Sequence, residues 1–95
     1  MVAELHVEVV SVEEQIWSGE ASILIARTTE GELAIMPGHT PLLGELVDPG
    51  EVLVRSADGE HRWTVHGGFL SVSNEGVSVL AENVSTPEGS RAGQY

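Results

Sequence analysis

Hydrophobic and polar residues alternate along most of the chain with a period of two, which is typical of β-strands that bury one face. In the first such run, Leu5, Val7 and Val9 fall on one face, and His6 and Glu8 fall on the other. The chain therefore begins with an amphipathic strand.

The apolar pattern changes face within this run, because Val10 and Val12 continue it with the opposite parity to Val9. One extra residue in a strand produces such a change, so the sequence predicts a β-bulge near Val9 and Val10. A later run, 32–36, is expected to end at Pro37, since proline cannot donate a ladder hydrogen bond.

Turn-forming residues separate the predicted strands. Asp-Gly at 58–59, between two alternating runs, predicts a β-hairpin. Segments 30–31 and 74–76 predict two further turns. Asp-Pro-Gly at 48–50 is expected to form a tight turn in which the glycine has a positive φ. The apolar run 41–47 is predicted to be a short edge strand.

About ten short strands at regular spacing indicate an all-β fold, a small antiparallel β-sandwich or flattened barrel. No amphipathic helix of ten residues occurs before residue 85, which disfavours parallel βαβ units. Residues 1–84 are predicted to form one domain, and the polar, Gly/Ser-rich segment 85–95 is predicted to be a flexible tail.

The charge is strongly negative, with 15 acidic residues against four arginines and no lysine, giving a net charge of −11. Such a protein repels nucleic acid phosphates and anionic lipid headgroups, so basic partners are favoured. Cysteine is absent, which excludes disulfides and cysteine metal sites.

Four histidines suggest a metal site as one possibility. His6, His39, His61 and His66 lie on separate segments without paired spacing. A metal-dependent β-barrel enzyme of the cupin type would use His6, His39 or His66 with a glutamate. The alternative is separate structural or surface histidines, with His6 on a polar face and His61 solvated beside its turn.

Other candidate chemistry is sparse. The chain has no G-x-S-x-G nucleophile motif. Trp17 and Trp63 occupy apolar positions and are expected in or near the core, as are Phe69 and Leu70. The residues alone therefore favour a non-enzymatic β module with an acidic surface, for example an adaptor for basic peptides.

Four segments, taken in order, resemble one family. "GELAIMPGHTPLL" is similar to the G-x-x-x-I-x-P-x-H-x-P-L signature of the epsilon subunit of the F-type ATP synthase. "LHVEVVSVEEQIWSGEA" resembles the first two strands of that family, and "DPGEVLVR" resembles its turn and following strand. "VHGGFLSVSNEGVSVLAEN" resembles its G-G-h-h-x-V … V-x-V-L-A-(D/E) ending. The resemblance covers almost all of the predicted domain.

The resemblance implies a ten-stranded β-sandwich in the central stalk of the synthase, without catalytic residues, metal or cofactor. It implies contacts with the gamma subunit and the c-ring that help to couple proton-driven rotation to ATP synthesis. The expected location is the cytoplasmic side of the cell membrane, peripheral and not inserted. Many members add a C-terminal helical hairpin that inhibits ATP hydrolysis. The segment after Val84 has no helical pattern, so neither that inhibition nor ATP binding is expected here.

The family's partner contact maps onto the bend after the 32–36 run. Two prolines and a glycine would make this bend stiff and sharp. The nearby glutamates would face the basic loops of the c-ring, and apolar residues, with Leu43 among them, would supply the rest of the contact. The predicted contact residues are Glu30, Glu32, Met36, Pro37, Gly38, His39, Thr40, Pro41 and Leu42.

His39, between the two prolines, has two open interpretations. It either bonds local backbone and fixes the bend, or it touches gamma or the c-ring directly. Glu32 is likewise either a solvated strand residue or a contact.

Overall fold

A computed structural model describes residues 4–85, which form ten β-strands. The strands are β1 (Leu5–Ser11), β2 (Gln15–Ala21), β3 (Ile23–Thr28), β4 (Gly31–Ile35), β5 (Leu42–Glu45), β6 (Gly50–Ser56), β7 (Gly59–Val65), β8 (Gly68–Ser73), β9 (Gly76–Ala81) and β10 (Val84–Ser85). The predicted all-β class is confirmed. Residues 86–95, most of the predicted tail, lie outside the described residues. Within residues 4–85 no helix is long and apolar enough to cross a membrane.

The strands form two five-stranded sheets that pack face to face. The first sheet has the order β2-β1-β9-β8-β5, and the second has the order β10-β7-β6-β3-β4. Strands β1 and β9 pair in parallel, whereas the other pairs within the sheets are antiparallel. The antiparallel expectation therefore holds except for this one pair.

The core lies between the sheets and is built from alternate residues of each strand. It is almost entirely aliphatic; Leu24, Ile35, Leu70 and Val79 are fully buried. Because each side chain turns to the opposite face from its neighbour, one apolar row per strand is enough to fill the interior.

The register shift lies at Val9 and Val10, as predicted, but the extra residue belongs to the partner strand. Val9 pairs with Trp17 and Val10 pairs with Gln15, so Ile16 is the inserted residue. Ile16 and Trp17 both pack against the core as a result. Val10 stays on the outer face of β1, because the bulge bends β2 instead.

Two turn predictions have different outcomes. The 58–59 hairpin is confirmed, and Gly59 has a φ of 131°. The prediction of a positive φ at Gly50 is wrong, since this glycine begins β6 and its φ is not positive. Gly50 is needed for close approach instead: a Cβ there would lie 2.9 Å from the carbonyl oxygen of Val47.

Candidate functional site

The bend between β4 and β5 is braced by its own backbone. The His39 N–H donates to the carbonyl of Met36 at 3.1 Å, and Nδ1–H of the same residue donates to the carbonyl of Thr40 at 2.7 Å. Gly38 has a φ of 87°, a conformation that residues with a side chain rarely adopt. His39 therefore hydrogen-bonds to local backbone, as the first of its two interpretations expects.

The predicted contact residues run along the β3–β4 turn, strand β4, the bend and strand β5. The half-buried members are Pro37, His39 and Leu42; the exposed members are Glu30, Glu32, Met36, Gly38, Thr40 and Pro41. The structure divides part of this set between two cavities. Pro37, Gly38 and His39 line one cavity, whereas Glu30 and Leu42 line another.

The first cavity, about 130 Å³, lies beside the bend. His39 shares its lining with His6 at the start of β1 and with Glu75 in the β8–β9 turn. The turn fits tightly against β1, because a Cβ on Gly76 would lie 2.4 Å from the carbonyl oxygen of His6. Glycine at this position therefore allows three segments to meet under the bend.

The second cavity is a cleft of about 370 Å³ between the edges of the two sheets. One wall is the end of β3 with the β3–β4 turn, and the other is β5. Glu30 and Leu42 therefore face the same opening.

The outer face of the first sheet carries exposed apolar side chains. We call Val10, Val12, Phe69 and Leu80 the apolar strip. Val12, Phe69 and Leu80 are 78%, 50% and 49% exposed. Leu80 pairs with Val10 on one side and with Phe69 on the other, so three strands contribute neighbouring side chains. The strip lines a shallow groove of about 200 Å³.

The prediction that Phe69 lies in the core is wrong, whereas Leu70 is fully buried as predicted. Alternation along β8 could have separated them: Leu70 and Val72 share the inner face, so Phe69 must point outward. The same rule places Leu80 outside, between the buried Val79 and Ala81. The outward position of Phe69 and Leu80 could therefore have been predicted from the alternation of buried and exposed residues along β8 and β9.

The outer face of the second sheet has a different character, with arginine–glutamate pairs across β6 and β7. Arg55 donates to Glu60 through Nε and Nη2, at 3.0 and 2.7 Å. Arg62 donates to Glu51 at 3.3 Å. These charged pairs make the outer face of the second sheet polar, whereas the outer face of the first sheet carries the exposed apolar strip.

His6 lies between two carboxylates on the outer face of the first sheet. Its Nδ1–H donates to Glu20 at 3.0 Å, and Nε2 lies 3.7 Å from Glu8. The hydrogen bond to Glu20 is the main cause that raises the pKa of His6 above the ordinary 6.5.

In the β6–β7 turn, the hydrogen bond from Ser56, aided by His61, lowers the pKa of Asp58.

An aromatic cluster closes the side of the sandwich at β2. The rings of Trp17 and His61 have centroids 5.0 Å apart, and His61 stacks on Trp63 at 6.0 Å with an interplanar angle of 13°. The expectation that His61 is solvated holds only in part: its side chain is 29% exposed, but residues 61 and 63 share the inner face of β7 and their rings stack. Gly19 leaves room for the Trp17 ring, which a Cβ there would approach to 2.9 Å.

His66 links two segments at the end of the second sheet. Its Nδ1–H donates to Asp48 and its Nε2 accepts from Ser85, both at 3.1 Å. This bridge ties β10 to the turn before β6. Across residues 4–85, no three His, Asp or Glu side chains gather as they would around a metal ion.

Comparison with known proteins decides the family. Residues 4–87 match the profile of the family described as "ATP synthase, Delta/Epsilon chain, beta-sandwich domain". The chain belongs to this family. The match spans every strand described above, and the resemblance of the four sequence segments is thereby confirmed.

Curated relatives from three genera support the assignment to the family's epsilon chains. The ATP synthase epsilon chain of Rhodococcus jostii strain RHA1 is 51% identical over 88 residues, covering 92% of this chain and 72% of that protein. The epsilon chain of Streptomyces avermitilis is 53% identical over 83 residues, which are 86% of this chain and 66% of the relative. That of Corynebacterium diphtheriae is 54% identical over 82 residues, or 85% and 67%. The chain thus spans about two thirds of the length of two of these relatives.

Solved structures share the fold. One chain of the Euglena gracilis mitochondrial ATP synthase, in an assembly described as OSCP/F1/c-ring, superposes with a TM-score of 0.83 at 21% identity. The aligned region covers 92% of this chain and 56% of the Euglena chain. A chain of the Tetrahymena thermophila enzyme, in a central stalk/c-ring structure, gives 0.75 at 19% identity, covering 100% and 74%. The β-sandwich fold is therefore retained at low sequence identity.

Proposed function

We propose that this chain is a non-catalytic rotor subunit of an F-type ATP synthase that joins the gamma subunit to the c-ring. In this role it helps to couple proton-driven rotation to ATP synthesis. The chemistry takes place on other polypeptides, and this chain contributes a rigid connection. Membership in the delta/epsilon family and the surfaces described above support the proposal.

The observation that carries it is the apolar strip on an otherwise acidic protein. Full burial of an exposed Phe or Leu side chain gains roughly 1.5–3 kcal/mol; Phe69 and Leu80 are half exposed, so each would gain roughly half of that when a partner covers it. An interface that withstands torque needs on the order of 1,200–2,000 Å² in total, with an apolar centre. We assign the strip, together with Leu43 on the same face, to the gamma subunit.

The stiff bend is assigned to the c-ring. Exposed ion pairs contribute only about 0.2–1 kcal/mol each, so Glu30 and Glu32 would set orientation more than strength. Met36, which is 55% exposed, supplies an apolar contact beside them. Because His39 holds the bend through backbone bonds, little ordering entropy is lost when a partner binds.

The chain reaches the membrane through the complex. The c-ring is embedded in the bilayer, and the acidic surface of this protein would be repelled by anionic headgroups. We therefore infer a peripheral position on the cytoplasmic side. The cupin-type alternative finds no support: the family match accounts for the whole sandwich, and the histidines of residues 4–85 bond separate partners.

The test uses ATP synthase from which the epsilon subunit has been removed. Adding the chain should restore ATP-driven proton pumping, and it should bind the purified gamma subunit. Leu80→Glu should weaken binding to gamma by about tenfold or more, because the interface would then bury a charge. Ala57→Glu, in the exposed β6–β7 turn, adds the same charge elsewhere and should bind normally.

The proposal fails if the unmodified chain does not bind gamma at moderate salt. It also fails if Leu80→Glu and Ala57→Glu bind equally well. Tight binding of unrelated basic peptides by the isolated chain, without binding to gamma, would favour the adaptor function instead.

A further inference from the structure

The outer face of the first sheet has a second depression beside the apolar strip, which we call the polar trough. Its volume is about 220 Å³. The polar side chains that line it are His6, Glu8, Ser71, Ser73, Glu75 and Ser78. The outer face is therefore divided into an apolar part and a part with hydroxyl and carboxylate groups.

Strand register places the trough directly beside the apolar strip. Ser78 lies two residues from Leu80 on β9, and Ser71 lies two residues from Phe69 on β8. Ser78 pairs with Ser71 on one side and with Glu8 on the other. Residues two apart on a strand share a face and lie about 6–7 Å apart, so the strip and the trough are neighbouring rows of one surface.

A partner that covers the apolar strip also reaches the trough. Val10, Leu80 and Phe69 lie on three adjacent strands and span only about 10 Å across the sheet. A stable interface buries about 800 Å² on each partner, which corresponds to a patch roughly 28 Å across. The gamma subunit, to which the proposed function assigns the strip, would therefore extend over the trough.

The carboxylates around the trough outnumber the cations. His6 lies 3.7 Å from Glu8 and 3.0 Å from Glu20, so one imidazole is shared between two carboxylates. Among the described residues, Glu75 has no cation within ion-pair distance, and no arginine lines the trough. A neutral partner surface would remove water from these charges without replacing it, which disfavours such a partner.

Charge complementarity favours a basic occupant over a second copy of this chain. Each copy has a net charge of −11, so two of these faces brought together would place carboxylates against carboxylates. Arginine or lysine side chains would instead pair with Glu8 and Glu75. The serine hydroxyls of the trough offer acceptors for the remaining N–H groups.

The trough lies between the apolar strip and the bend. His6, Ser73 and Glu75 line both the trough and the cavity beside the bend, where Pro37 and His39 also lie. Within residues 4–85, the groove of the strip shares no lining residue with that cavity. Because the bend is assigned to the c-ring, the trough is the end of the face that lies nearer the c-ring.

We propose that the gamma subunit covers the outer face of the first sheet with a surface of two halves: apolar side chains over the apolar strip, and arginine or lysine side chains in the polar trough, on the side nearer the c-ring. This inference rests on the proposed function and adds the chemistry and the orientation of the gamma contact. The strip supplies most of the affinity, and the trough determines which way round gamma lies.

The first experiment measures the affinity of purified gamma for two double variants of the trough. Glu8→Gln with Glu75→Gln removes two carboxylates and should bind several-fold more weakly, with a smaller dependence on salt. Glu8→Lys with Glu75→Lys reverses both charges and should bind about tenfold more weakly or worse. Thermal unfolding shows that the variants remain folded.

The matched control removes the same charge from the other side of the sandwich. Glu51→Gln with Glu60→Gln lies on the outer face of the second sheet and changes the net charge equally. It should bind gamma nearly as tightly as the unmodified chain does. A difference between the two Gln double variants therefore reports a local contact and not the overall charge.

The second experiment tests the orientation by photo-crosslinking in the complex with gamma. A photoreactive side chain in place of Ser73, in the trough, should capture a gamma segment with arginine or lysine at or next to the linked position. One in place of Val12, in the apolar strip, should capture an apolar segment.

The inference is overturned if the folded Glu8→Gln, Glu75→Gln variant binds gamma as tightly as its matched control, or more tightly. It is also overturned if position 73 captures a gamma segment that lacks arginine and lysine. These results leave the proposed function intact as long as the unmodified chain binds gamma. Failure of the unmodified chain to bind gamma would instead overturn the proposed function.

Discussion

At the scale of single residues, glycines mark where backbone or side chains meet too closely for a Cβ. Gly68 begins β8 with a φ of 124°, and a Cβ there would lie 2.1 Å from the carbonyl oxygen of Leu80. Gly59 has a similar φ of 131° with nothing within 4 Å of the added atom. A side chain at Gly59 would cause backbone strain alone, whereas one at Gly68 would cause both backbone strain and steric overlap.

We expect Gly68→Ala to lower the free energy of unfolding by more than about 2 kcal/mol, because β8 and β9 must move apart. Gly59→Ala should cost about 1 kcal/mol, from backbone strain alone. Urea unfolding of both variants measures the difference. Equal costs would show that the close approach at Gly68 contributes nothing.

His6 gives a pH dependence whose sign follows from its raised pKa. A raised pKa in the folded state means that protonated His6 stabilises the fold. This contribution is complete below the ordinary pKa of 6.5 and is lost as the pH rises through the folded-state value. Glu20→Gln removes the main cause, so it should bring the NMR titration midpoint of His6 down towards 6.5. Glu14→Gln is the control, and an unchanged midpoint in Glu20→Gln would refute the assignment.

At the scale of strands and turns, alternation and turn residues predicted most of the fold. The 58–59 hairpin, the edge position of β5 and the register shift at Val9 all follow from local sequence. The alternation pattern did not predict that the extra residue of the bulge lies in β2, because the register of β1 depends on its partner strand. The parallel pairing of β1 with β9 is likewise set by long-range topology.

The candidate site was less accessible to prediction than the fold. The bend was found from its prolines and glycine, and its contact with a partner stays a prediction. Phe69 was misplaced because a large aromatic residue in a strand suggests the core, whereas the parity of Leu70 forces it outward. The cleft lies where the edge strands β4 and β5 of the two sheets meet, and no local pattern reveals which strands share that edge.

The aromatic cluster joins β2 of the first sheet to β7 of the second. A double-mutant cycle with Trp17→Ala and His61→Ala should give a coupling energy of about 0.5–1.5 kcal/mol, as found for packed aromatic pairs. Trp17→Ala with Leu43→Ala is the control, because β2 and β5 are opposite edges of the sheet. That pair should be additive within about 0.5 kcal/mol. A negligible coupling for Trp17 and His61 would mean that their contact does not stabilise the sandwich.

At the scale of the whole molecule, the outer faces of the two sheets differ in polarity. The second sheet presents arginine–glutamate pairs to water, and the first presents the apolar strip and the edge of the cleft. The excess negative charge keeps the free protein soluble and attracts basic partners. Under the proposed function, the apolar strip would dock gamma and the bend between β4 and β5 would meet the c-ring.

The most direct test of the rotor assignment is a covalent link to gamma. The chain has no cysteine, so Leu80→Cys creates a single site in the apolar strip. Paired with a cysteine on the facing surface of gamma, it should form a disulfide in the assembled complex. Two parts of one rotor turn together, so the linked enzyme should hydrolyse ATP and pump protons as before. Turnover that stops on oxidation and returns on reduction would contradict the account, because it would place this chain against a part that does not rotate with gamma.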